Sequence, residues 1–526
     1  MKQFLAILLV FIMTAALAAC GKNSGSTDTA AVSLTAANSE AESAEADDMF
    51  TSRDYEVGWS DEVTVTLKDG ASKAGGDGVS IENDTITITS EGTYLLTGTL
   101  RDGQIVVDLA DDNAKVQLVL DNANISNSSG AAILIKSADK VFLTTAAGTE
   151  NSVTSTADFS GVSEDEDGTT VDAAIFSKED LTLNGEGTLT VTCESGHGIV
   201  SKDDLKMTSG TYAIAAGRKG ISGKDSVRIA GGSVTVDSGK TAIHSGNTED
   251  EDKGFVYIKG GTLTLTAGND GIHAERALTI AGGTITVTES NEALEGATIE
   301  ITGGKMDVTA ADDGLNASGF DAEATDTADA GNDGFMNQFM GGKDDMQPDD
   351  TAWLLISGGE LYVNAGGDAL DSNGDLTITG GTVYADGPTN GGNGTMDYAG
   401  NGKITGGTVI LAGAAGMEMN FGQDSTQCSI LYDFSSPQAA GTTVTLKDSS
   451  GKVVAEYTPQ KSYQSVVIST PDLKTGKTYT LSAGSESAEI DLTDVLYGTT
   501  AGMGGMPGMD GQGGPMGSGK GVRAAG

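Results

Sequence analysis

A phrase of about 22 residues recurs through the middle of this chain, and a repeat of that length restricts the fold more than any other feature. Its Gly-Gly pairs fall at positions 231/232, 260/261, 282/283, 303/304, 358/359, 380/381 and 406/407. Several of the intervals are 21 or 22 residues, and the longer ones contain visible insertions. A fixed period in the twenties is typical of a solenoid, in which each repeat is one coil stacked on its neighbour.

Apolar residues alternate with polar or small ones within each copy. The segment LTIAGGTITVT (278–288) places aliphatic residues at every second position on both sides of a Gly-Gly corner. A period of two with β-branched residues indicates half-buried strands, and the missing helical stripe argues against leucine-rich and ankyrin repeats. We therefore predict an all-β chain, a right-handed parallel β-helix with three short strands per coil, followed by a small C-terminal antiparallel β module.

The N-terminal segment MKQFLAILLVFIMTAALAAC (1–20) has a lysine, an apolar run and small residues before a cysteine. These features are typical of a secretory signal rather than a membrane-spanning helix. Leu17 to Cys20 resembles the lipobox of bacterial lipoproteins, in which the cysteine is acylated and becomes the first residue. The alternative is an ordinary cleavage site next to a chance cysteine. The lipobox predicts a cell-membrane protein, anchored by lipid on Cys20 and facing away from the cytoplasm.

Changes in composition divide the rest of the chain. Residues 21–55 are small, polar and acidic, and short acidic loops interrupt the repeat at 160–172 and 247–254. After the repeat stops, alternating runs joined by Gly-containing turns predict paired strands. The predicted segments are a signal peptide (1–20), a flexible acidic tether (21–55), a β-helix (56–426) with an acidic insertion (319–352), a small β module (427–497) and a disordered Gly/Met-rich tail (498–526).

The net charge restricts the classes of partner that the protein can bind. The formal charge is −45, from 75 acidic and 30 basic residues. Direct binding to nucleic acid or to anionic lipid is excluded because the long-range field is repulsive, so contact with a membrane is expected only through the lipid anchor.

Aligning the copies on their Gly-Gly pairs superimposes one four-residue turn, or tetrad, from each coil. The third residue is always Ile or Leu and is expected to point inward, whereas the first and fourth should point outward. Since neighbouring coils of a parallel sheet lie about 4.8 Å apart, the first and fourth positions should form two adjacent stacks. The tetrads are Lys219–Ser222, Thr241–His244, Asp270–His273, Glu292–Glu295, Asp313–Asn316 and Asp368–Asp371.

Carboxylates stacked at this spacing repel one another, so a group this dense usually holds a counter-ion. Hard oxygen donors without cysteine favour Ca²⁺ over zinc or copper. The alternative is a solvated acidic face without metal, in a protein that is acidic throughout. The predicted calcium ligands are Glu292, Glu295, Asp312, Asp313, Asn316, Asp368 and Asp371, with Asp270 at the edge.

The sequence also supports predictions for a group of basic residues and for two cysteines. Arg218, Lys219 and Lys224 form a basic spot in the coils before the acidic stack, where they are expected to pair with it or to contact an anionic ligand. Cys193 continues an inward alternation and is predicted to be buried. The sequence leaves open whether Cys193 is bridged to Cys428.

A family resemblance rests on three stretches: GDGVSIENDTITITSEGTYLLTGTL (76–100), VQLVLDNANISNSSGAAILIKSADKVFLTTAAGTENSVT (116–154) and GGTLTLTAGNDGIHA (260–274). Over roughly residues 60–425 the chain resembles the carbohydrate-binding β-helix proteins of clostridia, which are similar in fold to family nine pectate lyases. The resemblance implies a Ca²⁺-containing surface protein that binds acidic plant polysaccharide such as polygalacturonate, and cellulose-like glycans. Trp59 and Trp353 are the only tryptophans, so a flat stacking platform for neutral cellulose is not evident.

Three functions remain open from the sequence. The first is non-catalytic, calcium-dependent binding of an acidic plant cell-wall polysaccharide such as polygalacturonate. The second is a pectate lyase acting by β-elimination, which needs a basic side chain beside the metal; Lys219 and Arg276 are the candidates near the acidic stack. The third is a structural or adhesive surface protein whose coils are stiffened by metal.

Overall fold

The alternating segments form short strands that wind into a β-solenoid of about 11 turns. The structure, a computed structural model, describes residues 49–161, 169–320 and 348–498. One short 3-10 helix, η1, covers Ser52–Tyr55, and among the described residues no helix is long and apolar enough to cross a bilayer. The predicted all-β fold and parallel β-helix are confirmed.

The described strands are, in chain order, β1 Val63–Lys68, β2 Lys73–Ala74, β3 Val79–Glu82, β4 Thr85–Ile88, β5 Gly92–Leu100, β6 Gln104–Asp108, β7 Lys115–Asn127, β8 Ile133–Ser137, β9 Lys140–Thr145, β10 Glu150–Ser155, β11 Ala173–Ser177, β12 Asp180–Gly185, β13 Thr188–Cys193, β14 His197–Ser201, β15 Asp204–Met207, β16 Thr211–Ala216, β17 Ile221–Gly223, β18 Ser226–Ile229, β19 Ser233–Ser238, β20 Ile243–Ser245, β21 Phe255–Ile258, β22 Thr262–Ala267, β23 Ile272–Ile280, β24 Thr284–Glu289, β25 Leu294–Ile301, β26 Lys305–Ala310, β27 Leu315–Ala317, β28 Trp353–Ile356, β29 Glu360–Ala365, β30 Leu370–Ser372, β31 Asp375–Ile378, β32 Thr382–Asp386, β33 Gly402–Ile404, β34 Thr408–Gly413, β35 Ser429–Gln438, β36 Val444–Asp448, β37 Val453–Tyr457, β38 Tyr463–Ser469, β39 Lys477–Ala483, β40 Glu486–Leu492 and β41 Leu496–Tyr497.

Each full coil contributes strands to three faces, and strands of successive coils pair in parallel on each face. The first face contains the tetrads and includes β14, β17, β20, β27 and β30. The second face precedes the Gly-Gly corner and includes β18, β21, β28 and β31. The third face follows that corner and includes β19, β22, β24 and β26. The strands β23 and β25 are long enough to serve the first and second faces in turn.

The Gly-Gly corner is required by the backbone. The second glycine has a positive φ, 91° at Gly283 and 90° at Gly304, which a residue with a Cβ adopts only under strain. The first glycine passes close to the preceding coil, because a Cβ on Gly282 would lie 2.5 Å from the carbonyl oxygen of Lys259. The Gly-Gly pairs of the sequence repeat therefore mark the positions where each coil turns close to the preceding coil.

The core is a set of aliphatic stacks enclosed by the three faces. Ile272 pairs in register with Leu294, Leu294 with Leu315 and Leu315 with Leu370, and all four side chains are fully buried. Burying one such side chain contributes about 1.5–3 kcal/mol, so the free energy of the solenoid accumulates coil by coil.

Residues 49–56 form an ordered strap on the outside of the second face. Asp54 in η1 is fully buried, and its carboxylate lies 2.7 Å from Lys140 Nζ on β9 and 3.8 Å from Lys206 Nζ on β15. Thr182 Oγ1 on β12 also donates to it at 2.9 Å. The predicted flexible tether over 21–55 is therefore wrong for residues 49–55, because a buried ion pair fixes them to three coils.

Several sequence predictions lie outside the described residues. These are the signal peptide with Cys20, the tether up to residue 48, the central part of the insertion at 319–352 and the tail from residue 499.

The C-terminal strands continue the third face and then leave it. β38 pairs antiparallel with β34 of the last coil, and β35 pairs with β38. β36, β37, β39 and β40 form a separate four-stranded antiparallel sheet. Because an open sheet edge exposes unpaired backbone groups, the module covers the end of the third face.

Both described cysteines are buried and free, so Cys193 and Cys428 are not bridged. The side chain of Cys193 lies in the core as expected from its place in the alternation.

The strap yields a stability prediction. Replacing Asp54 by alanine should lower the free energy of unfolding of the full chain by about 3 kcal/mol, since two buried lysines lose their counter-charge. Burial opposes ionisation of Asp54, but the bonds and charges of Lys140, Thr51 and Lys206 lower its pKa to about 2. The matched control is Glu56→Gln, since Glu56 pairs with Arg53 at the surface and should contribute little. Urea unfolding measures both variants, and equal effects would contradict the anchoring role.

Candidate metal centre

The tetrads stack in the predicted register and form what we call the tetrad column. At the fourth position, β-pairing joins His244 to His273, His273 to Glu295, Glu295 to Asn316 and Asn316 to Asp371. The first position is held by the same ladder, since the amides of Gly271, Ala293 and Gly314 donate to the carbonyls of Glu292, Asp313 and Asp368 at 2.9, 3.1 and 2.8 Å. The predicted alignment of the candidate residues is therefore present, but their side chains divide into separate groups.

One group, the histidine cluster, contains Asp270, His273 and Glu295. His273 Nδ1 lies 3.4 Å from Asp270 Oδ2 and 3.2 Å from Glu295 Oε2. Burial by itself lowers the pKa of His273, but Glu295 and Asp270 outweigh it and raise the pKa to about 10. The protonated ring therefore supplies positive charge to two of the predicted calcium ligands.

Basic side chains continue the column on the far side of His273. The rings of His244 and His273 pack edge to face with centroids 5.4 Å apart, and Lys219 Nζ lies 3.4 Å from His244 Nε2. Arg218 pairs with Asp172 at 2.8 Å and Lys224 with Glu249 at 3.2 Å. Two members of the predicted basic spot thus have acidic partners outside the tetrads.

At the other end of the column, Asp368, Asp371 and Asp397 form the aspartate cluster. One carboxylate oxygen from each lies within 4.8 Å of the other two. The backbone holds these groups, because Gly394 N donates to Asp368 Oδ1 at 2.6 Å and Asp368 N donates to Asp313 Oδ1 at 2.7 Å. Asp313 is therefore bound directly beside the cluster.

Asp397 is a member of the cluster that the sequence reasoning missed. Met396 bridges Leu370 in parallel, so Asp397 occupies the fourth position of one further tetrad, with Gly394 at the first. The coil from 381 to 407 is longer than its neighbours, which obscured the alignment. The available signal was an apolar Met followed by Asp, the same pattern as Leu370 followed by Asp371.

The carboxyl groups at this end are strongly coupled. Burial, followed by the charges of Asp313, Asp371 and Asp397, raises the pKa of Asp368 to about 8. Burial and the charges of Asp313 and Asp397 raise that of Asp371 to about 7. Burial and the charge of Asp312 raise the pKa of Asp313 to about 6. In the absence of a cation, the cluster therefore retains protons at neutral pH.

Glu292 and Asn316 lie between the two clusters. Asn316 Nδ2 donates to Glu292 Oε2 at 3.0 Å, and burial with the charges of Glu295 and Asp270 raises the pKa of Glu292 well above its usual value. The other amide atom, Asn316 Oδ1, is buried and has no hydrogen-bond partner among the described residues. A buried carbonyl-type oxygen next in register to Asp371 is an acceptor that a cation would satisfy.

The aspartate cluster fits a calcium ion. Ca²⁺ binds oxygens at 2.3–2.6 Å, so opposite ligands lie roughly 5 Å apart, close to the spacing of the three carboxylates. The donors are hard oxygens only, whereas the histidine cluster includes a nitrogen that is already charged. Asp368, Asp371 and Asp397 would hold the ion, with Asp313 and Asn316 beside them. Asp312 is exposed, so it would add to the negative electrostatic potential of the site without coordinating the ion.

Comparisons with known proteins find similarity over part of the solenoid. The model of a family described as carbohydrate-binding domain-containing protein matches residues 82–334, somewhat under half of the chain. This segment is a carbohydrate-binding domain homologue. The match includes the histidine cluster, Glu292, Asp313 and Asn316, and it ends before the aspartate cluster.

Two individual relatives were found. A carbohydrate-binding domain-containing protein of Acetivibrio thermocellus is 40% identical over 140 residues, which make up 27% of this chain and 48% of the relative. The chain thus spans about half the length of that relative. A solved structure described as a polysaccharide lyase-like protein from C. thermocellum, a gadolinium derivative, is 33% identical, with a TM-score of 0.41; the alignment covers 47% of this chain and 94% of that one.

The coupled carboxyls yield a pH prediction for the metal-free protein. Asp313, Asp371 and Asp368 ionise near pH 4 when unfolded and at about 6, 7 and 8 when folded. Between these limits the folded state binds more protons, so the free energy of unfolding falls as pH rises. The melting temperature in chelator should drop by several degrees from pH 5 to pH 8.5.

The matched variant is Asp368→Asn/Asp371→Asn, which should show a shallower drop because two of the titrating groups are gone. A slope that is equal in the variant and the natural chain would contradict the assignment of these carboxyls.

Proposed function

We propose that this protein is a non-catalytic polysaccharide-binding protein that uses Ca²⁺ in the aspartate cluster to bind an acidic glycan such as polygalacturonate. The observation that carries the proposal is the convergence of Asp368, Asp371 and Asp397 on one point of a coil surface, beside the orphaned oxygen of Asn316. The homology of residues 82–334 to carbohydrate-binding domains supports the ligand class.

The overall charge supports a metal-dependent mode of binding. A polymer of uronic acids is repelled by a chain with a formal charge of −45. Ca²⁺ takes six to eight oxygen ligands, so three protein carboxylates leave positions for a uronate carboxylate and water. The ion would offset part of the negative charge of the cluster and bind a uronate carboxylate of the polymer at its remaining coordination positions.

The geometry favours binding over β-elimination. Lys219 is separated from the position of Glu292 by the coils that contain Thr241 and Asp270, and its amine contacts His244. The guanidinium of Arg276 lies 3.7 Å over the Phe320 ring and donates to the carbonyl of Thr248. Neither candidate base is directed at the aspartate cluster, so a proton beside a calcium-bound uronate has no acceptor from this pair.

The lipobox-like segment supports the location. Acylation at Cys20 would hold the solenoid at the outer side of the cell membrane, where plant-derived polysaccharide is available. Residues between Cys20 and the strap at 49–56 would then connect the anchor to the strap.

Calcium should stabilise the protein and be required for glycan retention. At a free Ca²⁺ concentration 100 times its Kd, linkage adds about 2.7 kcal/mol to the free energy of unfolding. We expect Asp368→Asn/Asp371→Asn to lose both the rise in Tm and retention on immobilised polygalacturonate. The control Asp307→Asn removes an exposed carboxylate from the third face and should retain both.

Two results would overturn this function in different ways. A Ca²⁺-dependent rise in Tm without retention of any polysaccharide would favour the structural or adhesive role. An increase in unsaturated-uronate absorbance that is lost in Lys219→Ala would establish a lyase.

The anchor is tested separately. The natural chain, expressed in a bacterium, should incorporate labelled fatty acid and partition into the detergent phase of Triton X-114. Cys20→Ser should do neither, because it lacks the acylated thiol. Equal partition of the two proteins would refute lipidation at this position.

A further inference from the structure

A second concave surface lies on the second face, around one corner of the coil from the aspartate cluster. Trp353 begins β28 and is one of the few large apolar side chains exposed among the described residues, at 37%. It borders a cleft of about 600 Å³, a volume typical of small-molecule sites. Its lining includes Gly374 and Gly400, where a Cβ would collide with Ala352 O and Asp375 Oδ1.

Polar groups surround the indole in a fixed arrangement. Asp375 is the in-register partner of Trp353 on the next coil, and both residues line the cleft. Asn401 N and Nδ2 donate to Asp375 Oδ1 at 2.7 and 3.1 Å, which fixes that carboxylate and leaves Oδ2 for a ligand. Across the cleft, Asp349 Oδ1 accepts bonds from Thr351 N and Oγ1 at 2.7 and 2.6 Å.

The charge of the cleft favours a neutral ligand over an acidic one. The charged side chains among the described residues that line it are all acidic, Asp349, Asp350 and Asp375. A uronate carboxylate would be repelled, whereas sugar hydroxyls donate to carboxylates and to Asn401. The C–H face of a pyranose ring is slightly positive and apolar, which matches the negative face of an indole.

We propose that the Trp353 cleft is a second, calcium-independent subsite that binds a neutral pyranose segment of a polysaccharide by stacking on Trp353 and hydrogen bonding to Asp375 and Asn401. The inference rests on the proposed carbohydrate binding but not on the calcium site. It departs from the expectation that neutral sugars lack a stacking platform here.

The two subsites are near neighbours. Asp371 of the aspartate cluster and Asp375 of the cleft are four residues apart across one corner of the coil, so their Cα atoms lie within about 14 Å. A single polysaccharide with charged and neutral sugars can therefore contact both, and the second contact gains from the high effective concentration created by the first.

The test uses the full chain in excess chelator and three neutral hexasaccharides, cellohexaose, xylohexaose and mannohexaose. Trp59→Phe leaves Trp353 as the sole tryptophan, so its fluorescence reports on the cleft. At least one hexasaccharide should change the Trp353 emission saturably. Calorimetry should show Trp353→Ala binding that sugar at least tenfold more weakly, with Trp353→Phe in between.

The matched control is Trp59→Ala, which removes a tryptophan of equal exposure, 38%, and should bind like the natural chain. Asp368→Asn/Asp371→Asn should keep the neutral sugar while losing polygalacturonate, which separates this inference from the calcium proposal. The inference is overturned if no hexasaccharide alters Trp353 emission, if Trp353→Ala binds as tightly as the natural chain, or if chelator abolishes neutral-sugar binding.

Discussion

The spacing of about 4.8 Å between hydrogen-bonded coils is the constraint on which the rest of the structure depends. It converts one position of a repeat into a line of side chains in contact. The inward-facing line consists of Ile272, Leu294, Leu315 and Leu370. On either side of these residues, the same backbone hydrogen bonds between coils hold the first and fourth positions of the tetrads in line. The aliphatic stack therefore stabilises the backbone that keeps the mutually repelling carboxylates together.

The tetrad column changes character along its length because its counter-charges are unevenly distributed. Near His273, a half-buried imidazolium lies between Asp270 and Glu295, so part of their negative charge is offset within the protein. Three and four tetrads further along, Asp368, Asp371 and Asp397 face one another, and burial together with mutual repulsion raises the pKa of Asp368 and Asp371. A cation is therefore expected to bind at the second place and to gain little at the first.

Sequence reasoning succeeded where a single period determines the result. Glu292, Asp313 and Asp368 each lie ten residues after the first glycine of a Gly-Gly pair, so their stacking follows from counting. It failed for Asp397, whose coil is longer and begins its tetrad with glycine. It also failed for Asp54, since a short polar segment carries no local pattern that reveals a distant partner such as Lys140. Which carboxylates take His273 as their partner depends on side-chain directions that periodicity leaves open.

The strong negative charge leaves this protein two chemical routes to a polysaccharide. In the proposed function, acidic sugars are bound through a bridging cation at the aspartate cluster. Neutral sugars require none, and acidic groups beside an exposed indole then become useful because they accept hydroxyl bonds without attracting uronates. Since Asp371 and Asp375 are separated by one corner of the same coil, the two proposed sites lie on neighbouring faces of that coil. Rigidity matters here, because two weak contacts combine only when the scaffold holds them at a fixed separation. The β-helix provides that separation through its backbone ladder, so glycan selectivity would depend on the order of charged and neutral sugars along the polymer.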